Sequence, residues 1–384
     1  MDFSLTPEQN ALVESVTKLA QREFGERAFT RTEFAWDSLE VLAENDLTGL
    51  TLPVELGGQG ASLLDAVLVM MAITKVCPHS ADALQASNFG AIRQVANFGS
   101  DYVKSEVLPL FLSGKALVTA GMSEPEAGSA LTDLRTSARF EGDNVVLNGQ
   151  KCWNSHGPDA THSVVWCRFG PSSRDIGAVL VPFDSPGFSR GKREYHMSGE
   201  SHCQLFFDEC TVPKEYVLAD SGALKKMLSI FGVERMGNAS RALSLAEKAY
   251  DMAVEHASVR TQFGKNLCEF QGLQWKFADM RIELDAAKML LLRAVANADA
   301  GTPDSTEAAI AKLHANRTAF AVANDAMQVF GASGYSQEYP LEYIVRRTRG
   351  WMIAGGSVEI LKNTIAQSIF GRRFDQRAGA AVAR

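Results

Sequence analysis

The chain has 384 residues, 46% of them hydrophobic and 22% charged, which excludes wholesale disorder. At roughly 150 residues per domain the length allows two or three domains, each able to bury a core without disulfide or metal staples. Acidic residues outnumber basic ones, 45 to 38, and the net charge of −7 argues against a nucleic-acid partner while leaving room for a small anionic ligand in a locally basic site.

The start, Met1-Asp2-Phe3-Ser4, carries neither a basic stretch nor an apolar signal core. No run reaches the length of about 18 apolar residues that a membrane span needs, so a cytoplasmic chain is expected. Thr6-Pro7-Glu8 is a helix start, with Thr6 as N-cap and Pro7 in the first helical position. Leu12, Val13, Val16, Leu19 and Ala20 then form the stripe of an amphipathic helix. A glycine-rich break around Gly57-Gly58-Gln59-Gly60 precedes an apolar helix from Leu63 to about Val76. Short apolar runs follow between turn formers: Val145-Val146-Leu147, Val164-Val165-Trp166-Cys167, Ala178-Val179-Leu180-Val181 and Leu205-Phe206-Phe207. They predict a small sandwich or barrel. From about Ala223 the texture is helical again. Leu228 to Arg260 lacks proline and would be roughly 50 Å long as a helix. Two more long segments, from about Glu269 to Ala300 and from Ser305 to Phe330, flank Gly301-Thr302-Pro303-Asp304. The expected fold is α+β and multidomain: an N-terminal helical domain (1–115), a middle β-barrel or sandwich (116–220) and a C-terminal four-helix bundle (221–384). The six cysteines show no paired spacing and read as scattered reduced thiols; no metal-ligand pattern is present among the seven histidines.

Four motifs carry chemistry. Ser123-Glu124-Pro125-Glu126-Ala127-Gly128-Ser129 follows the strand-like Leu117-Val118-Thr119-Ala120. Gly149-Gln150-Lys151-Cys152-Trp153-Asn154-Ser155-His156-Gly157 offers an aromatic plate and a hydroxyl. Arg260-Thr261-Gln262-Phe263-Gly264-Lys265 closes the long helix, and Gln328-Val329-Phe330-Gly331-Ala332-Ser333-Gly334-Tyr335 closes the last. Singly each is weak; the first alone reads more readily as a surface turn. In this order and spacing, with Leu5-Thr6-Pro7-Glu8-Gln9 and Phe207-Asp208-Glu209-Cys210-Thr211-Val212-Pro213, they resemble the acyl-CoA dehydrogenase family over essentially the whole chain.

The resemblance implies FAD between the β domain and the bundle. Ser123 and Ser129 fall where residues line the flavin and pyrophosphate, Trp153 where a ring shields the flavin, and Ser155 where a threonine usually bonds flavin N5. Arg260, Gln262 and Phe263 match residues that hold the pyrophosphate and adenosine of a neighbouring subunit's FAD, and Gln328 and Gly331 match a turn on the same FAD. Ser357 stands for the threonine of the family's C-terminal segment. Sites shared in this way imply a homotetramer or homodimer. As residues alone, Phe263 also reads as core and Arg260 as a helix-end cap.

The chain departs from the family at the base. Where many members have Tyr-Glu-Gly-Thr, this one has Ala354-Gly355-Gly356-Ser357, and glycine takes no proton. A minority of members place the base on the long helix, which points to Glu234, beside Arg235. Without the resemblance, Glu234 is equally an exposed helix-start glutamate. The Gly355 backbone N–H survives the replacement and can still polarise a thioester carbonyl. Further departures are Ala130, Glu200 and His156, with His196 and His202 read as surface residues. Ala354-Gly355-Gly356 is expected to open space for a branched, cyclic or polar acyl group. The implied activity is FAD-dependent α,β-dehydrogenation of an acyl thioester carried on coenzyme A or a carrier-protein phosphopantetheine, with an electron-transfer flavoprotein as acceptor. Enoyl-thioester reduction, flavin monooxygenation and a non-enzymatic relative are the alternatives.

Overall fold

Thr6 opens the first helix with a capping box: its Oγ1 accepts from the Gln9 amide at 3.2 Å, and Gln9 Oε1 accepts from the Thr6 N–H at 3.1 Å. The computed structural model describes residues 4–29, 33–298 and 301–374; the expectations for Met1–Phe3 and for a helix end at Ala300 lie outside the described residues. The N-terminal region holds α1 (Pro7–Phe24), α2 (Trp36–Glu44), α3 (Leu63–Val76), α4 (Pro78–Asn88), α5 (Ile92–Phe98) and α6 (Leu108–Leu112). The helix α3 is apolar on nearly every side because it is buried all round, between α1 and the C-terminal bundle.

The middle region has β1 (Val118–Gly121), β2 (Ser137–Glu141), β3 (Asn144–Ser155), β4 (His162–Arg168), β5 (Ile176–Pro182), β6 (Phe188–Arg190), β7 (Glu194–Tyr195), β8 (Ser201–Pro213) and β9 (Val217–Ala219). They form one sheet in the order β6-β8-β3-β2-β4-β5-β9, with β1 parallel to β4 and β7 on β8. Alternate residues of the sheet feed two cores. Val164 and Trp166 pack with α5 and α6, while Val165 and Cys167 join Leu147, Val179 and Leu205 on the other face. The apolar runs read from sequence all lie in strands; β2, with one buried residue in five, has no such run to announce it.

The C-terminal region has α7 (Leu224–Ser229), α8 (Phe231–Val259), a hairpin of β10 (Thr261–Gln262) and β11 (Lys265–Asn266), then α9 (Gln271–Ala296), α10 (Ser305–Phe330), α11 (Ala332–Tyr335), α12 (Leu341–Trp351) and α13 (Val358–Phe370). The helical span expected from Leu228 begins instead at Phe231, after a break at Ile230. Alanines let α8 and α10 approach closely: Ala242, Ala246, Ala249 and Ala253 on one, Ala308, Ala311, Ala315 and Ala319 on the other. The pairs Asn238–Asn316 and His256–Phe330 show that the two helices run in the same direction. The six cysteines are free thiols. Among the described residues, no helix is long and apolar enough to cross a membrane.

Candidate active site

The loop after β1 is locked to β3 by a buried ion pair. Lys151 Nζ lies 2.7 Å from Glu124 Oε1, with the lysine fully buried. Glu124 also accepts from the backbone N–H groups of Arg135 at 2.6 Å and Thr136 at 2.9 Å. Burial opposes ionisation of both partners. It holds Lys151 below its usual value despite Glu124, whereas for Glu124 the lysine and the hydrogen bonds outweigh burial and keep the carboxylate charged. The Cys152 N–H donates to Ser123 O at 2.9 Å, so Ser123 is pinned beside the second motif. Ser129 is exposed farther along the loop. Glu124 and Lys151 stand inside motifs quoted from the sequence; their pairing is tertiary and had no signal of its own.

Trp153 follows at a register shift between β3 and β8 and adopts φ 57°, a left-handed conformation that is costly outside glycine. Its indole is 64% exposed. Ser155 is exposed beside it, and its Oγ lies 3.4 Å from His196 Nε2. His202 is not the surface residue expected, and His196 is only partly exposed. His202 is 3% exposed, stacked on His196 at 4.2 Å between ring centroids, because β7 and the turn before Glu200 fold back over β8.

Glu234 lies in the first turn of α8 and is half-buried; its Oε2 is buried and has no hydrogen-bond partner. A Cβ added to Gly355 would sit 2.9 Å from that oxygen. Gly355 also has φ 67°. Two independent constraints therefore demand glycine here, and the space expected to be open at 355 is occupied by the Glu234 carboxylate. The Gly355 N–H has no partner among the described residues. Arg235 contributes a buried Nε that is likewise unpartnered, with one guanidinium nitrogen near Gly356. Ser357 caps α13, its Oγ accepting from the Ile360 N–H at 3.4 Å.

The Gly355 loop is held by a residue the sequence did not single out. Lys312, fully buried on α10, donates to the carbonyls of Trp351 at 3.3 Å, Ala354 at 2.5 Å and Gly356 at 2.8 Å. Three N–H groups meet three carbonyls. Burial pushes this lysine down to about 8, opposed by Glu234. From α4, Gln85 donates through Nε2 to Glu234 O at 3.5 Å, and its Oε1 is buried without a partner. A side chain at Gly237 would collide with this amide.

A second charged group joins the three regions. Asp82 of α4 accepts from Arg241 at 2.5 Å and from Arg347. Arg347 also pairs with Glu200, which accepts from Ser198 and, at 3.1 Å, from the Tyr343 hydroxyl. His79, Asp82 and Glu200 could by spacing hold a metal, their ligand atoms all within 4.8 Å. Both acids are already neutralised by guanidiniums, and a divalent cation there would face two buried positive charges.

Arg260, Gln262, Phe263, Gln328 and Gly331 are not brought to Glu234. They sit at the far end of α8, about 40 Å away at 1.5 Å per residue. The His256–Phe330 stack, 4.1 Å between centroids, gathers both motifs at that end. Phe263 is 95% exposed, so it is not core, and Arg260 forms no ion pair among the described residues. A phosphate-pairing cation, an exposed ring and an exposed amide at one end, with an indole and hydroxyls on the β region, are the kinds of group that can hold a dinucleotide.

The acyl-CoA dehydrogenase N-terminal, middle and C-terminal domain models match residues 6–115, 119–210 and 224–370. The chain is 35% identical over 98% of its length to a 3-sulfinopropanoyl-CoA desulfinase of Paraburkholderia xenovorans, covering 100% of that protein. It is 34% identical to an acryloyl-CoA reductase (NADH) of Anaerotignum propionicum, covering 97% of both chains. The butyryl-CoA dehydrogenase structure of Megasphaera elsdenii superposes with a TM-score of 0.91 at 28% identity, over 96% of this chain and 100% of that one.

Proposed function

The chain belongs to the acyl-CoA dehydrogenase family, and from that premise we propose that it dehydrogenates an acyl-CoA between the α and β carbons with Glu234 as base. The observation that carries this is the buried, unpartnered Glu234 Oε2 lying against Gly355. A structural carboxylate is held by ion pairs or hydrogen bonds, as Asp82 and Glu200 are; this one keeps an oxygen free to take the α proton. The Gly355 N–H donates to the thioester carbonyl and so acidifies that proton. Lys312 holds the loop that presents this amide. Arg235 supplies fixed positive charge beside the carboxylate.

Ser123, Ser129, Trp153 and Ser155 would hold the flavin part of FAD, with Ser357 near it, and Arg260, Gln262, Phe263, Gln328 and Gly331 the remainder of a partner's FAD. FAD supplies the two-electron acceptor for the β hydride. The separation of about 40 Å between Glu234 and Arg260 along α8 supports a homodimer or homotetramer, and family likeness supports an electron-transfer flavoprotein as acceptor. The test is anaerobic bleaching of the holoenzyme by saturated acyl-CoA esters. Glu234→Gln should slow bleaching by about 10³ to 10⁴ with FAD content intact; bleaching at the wild-type rate would remove Glu234 as base.

A second reading is favoured by Arg235, whose buried Nε–H lacks an acceptor beside Glu234. That cation suits an acyl group with an anionic tail, and two relatives are named for 3-sulfinopropanoyl-CoA and acryloyl-CoA. Including both thioesters in the panel separates the readings: release of the sulfur group without bleaching supports desulfination, and oxidation of pre-reduced enzyme by acryloyl-CoA supports reduction.

A further inference from the structure

Around Ser155 the chain assembles more polar structure than a shielding ring and one hydroxyl require. Trp153 and His156 both adopt left-handed φ, 57° and 58°, turning the strand end outward. The Trp153 ring lies 5.0 Å from that of His202, which stacks on His196 at 4.2 Å, and His196 Nε2 reaches Ser155 Oγ at 3.4 Å. The turn carrying His196 is fixed at both sides. The His196 N–H donates to Glu200 O at 2.9 Å, and Glu200 is held by Arg347. Burial, with His202 adding to it, brings His196 down to about 4. The imidazole is therefore neutral near pH 7, with one donor and one acceptor nitrogen.

We propose that His196 is a positioning residue for the flavin-facing hydroxyl of Ser155, giving or taking the hydrogen bond as the cofactor changes redox state. This rests on the reading that Ser155 contacts the flavin edge. A serine hydroxyl has one proton and can point it one way only. When the edge accepts, the Ser155 proton points to the cofactor, and Oγ accepts from His196 Nε2–H. When the edge donates, Oγ accepts from it and turns its own proton to His196 Nε2. The imidazole then carries its proton on Nδ1, exchanged through solvent at this partly exposed ring, with no net uptake. With the bound cofactor keeping water from this otherwise exposed hydroxyl, loss of His196 leaves an oxygen lone pair unused in one state and an O–H with no acceptor in the other. The second loss is the larger, because orphaned donors cost more than under-used acceptors. His196 thus favours the reduced state.

The test is the midpoint potential of substrate-free holoenzyme, read with FAD content and thermal unfolding. His196→Phe keeps a ring on His202 and removes both nitrogens. It should shift the reduced-to-oxidised equilibrium about tenfold towards oxidised, about 30 mV for a two-electron couple. His196→Gln, able to donate and accept, should restore most of the shift. Ser155→Ala should shift the potential in the same direction, and the double variant should add nothing further. A purely structural ring would change unfolding and leave the potential alone. An unshifted potential in His196→Phe beside a shifted one in Ser155→Ala overturns the role of His196 and leaves Ser155 at the flavin. Additive shifts overturn the coupling. Silence in both variants overturns the placement of Ser155 together with the proposal. Should His196→Phe fail to load FAD, His196→Ala is read in its place.

Discussion

Two buried carboxylate groups lie in neighbouring parts of this molecule and are satisfied to very different degrees. In the first, Asp82 and Glu200 meet Arg241 and Arg347, and Glu200 also accepts from Tyr343 and Ser198. Two acids balance two guanidiniums, and the acids come from the N-terminal and middle regions while the bases come from the bundle. In the second, Glu234 keeps an oxygen without a partner, and Lys312 is committed to loop carbonyls rather than to the carboxylate. The paired group holds three regions together. The unpaired one has capacity left for a reacting proton. What separates the two is the partner: each acid of the first group is ion-paired, and Glu234 has no hydrogen bond to its buried oxygen.

The contrast can be broken by exchanging its properties. Glu234→Gln should cost the largest factor, about 10³ to 10⁴ in the rate of anaerobic flavin bleaching, with little change in thermal unfolding. Arg347→Met should do the opposite. It strands Asp82 and Glu200, costs about 3–5 kcal/mol in denaturant unfolding, and leaves bleaching per folded molecule close to wild type. If Arg347→Met instead spares stability and stops bleaching, the paired group belongs to the chemistry. Gly355→Ala is intermediate. A Cβ facing the Glu234 carboxylate at a left-handed φ should cost about 1–2 kcal/mol and slow bleaching by about tenfold to a hundredfold.

Two pH responses sharpen the comparison. Burial alone would raise the Glu200 pKa, but Arg347 and Ser198 hold it well below the ordinary 4.5. Its contribution is present above that value and is lost as the pH falls towards the depressed one, so Glu200→Gln should flatten acid unfolding in that window. Lys312, at about 8 against an ordinary 10.5, is shifted in the same direction, but here the form that folding disfavours is the charged one. Between these values the unfolded chain binds more protons, so stability rises with pH relative to Lys312→Met, while loss of one N–H from the loop lowers the bleaching rate above about pH 8. This is the smallest effect, checked by parallel unfolding and rate profiles.

Much of the architecture was legible because it rests on local pattern: the Thr6 cap, the all-round apolar α3, the proline-free α8 and the alanine-rich α10. Glu234 was singled out only through the family resemblance, by its gap-free spacing from the Arg260 motif and the absence of an acid at Gly355. Lys312 was not. A lysine in an alanine-rich helix reads as a solvated residue until α12 brings its C-terminal carbonyls against it. Asp82 and Glu200 are 118 residues apart, and nothing local announces that one guanidinium spans them. His202 reads as surface by type and is buried because β7 covers it. The residues missed are polar groups buried by distant chain, where composition points the wrong way.

The contact between Gly355 and Glu234 also constrains the routes by which such a chain can change. An acid entering at 355 while Glu234 remains would have to share the volume its carboxylate already fills, and the two like charges would raise the cost further. Loss of Glu234 with glycine kept at 355 leaves that point without a carboxylate at all. Each single step away from the present pair is therefore disfavoured, one by crowding and one by vacancy. Positions 234 and 355, 121 residues apart in the chain, should be exchanged together in descendants or retained together.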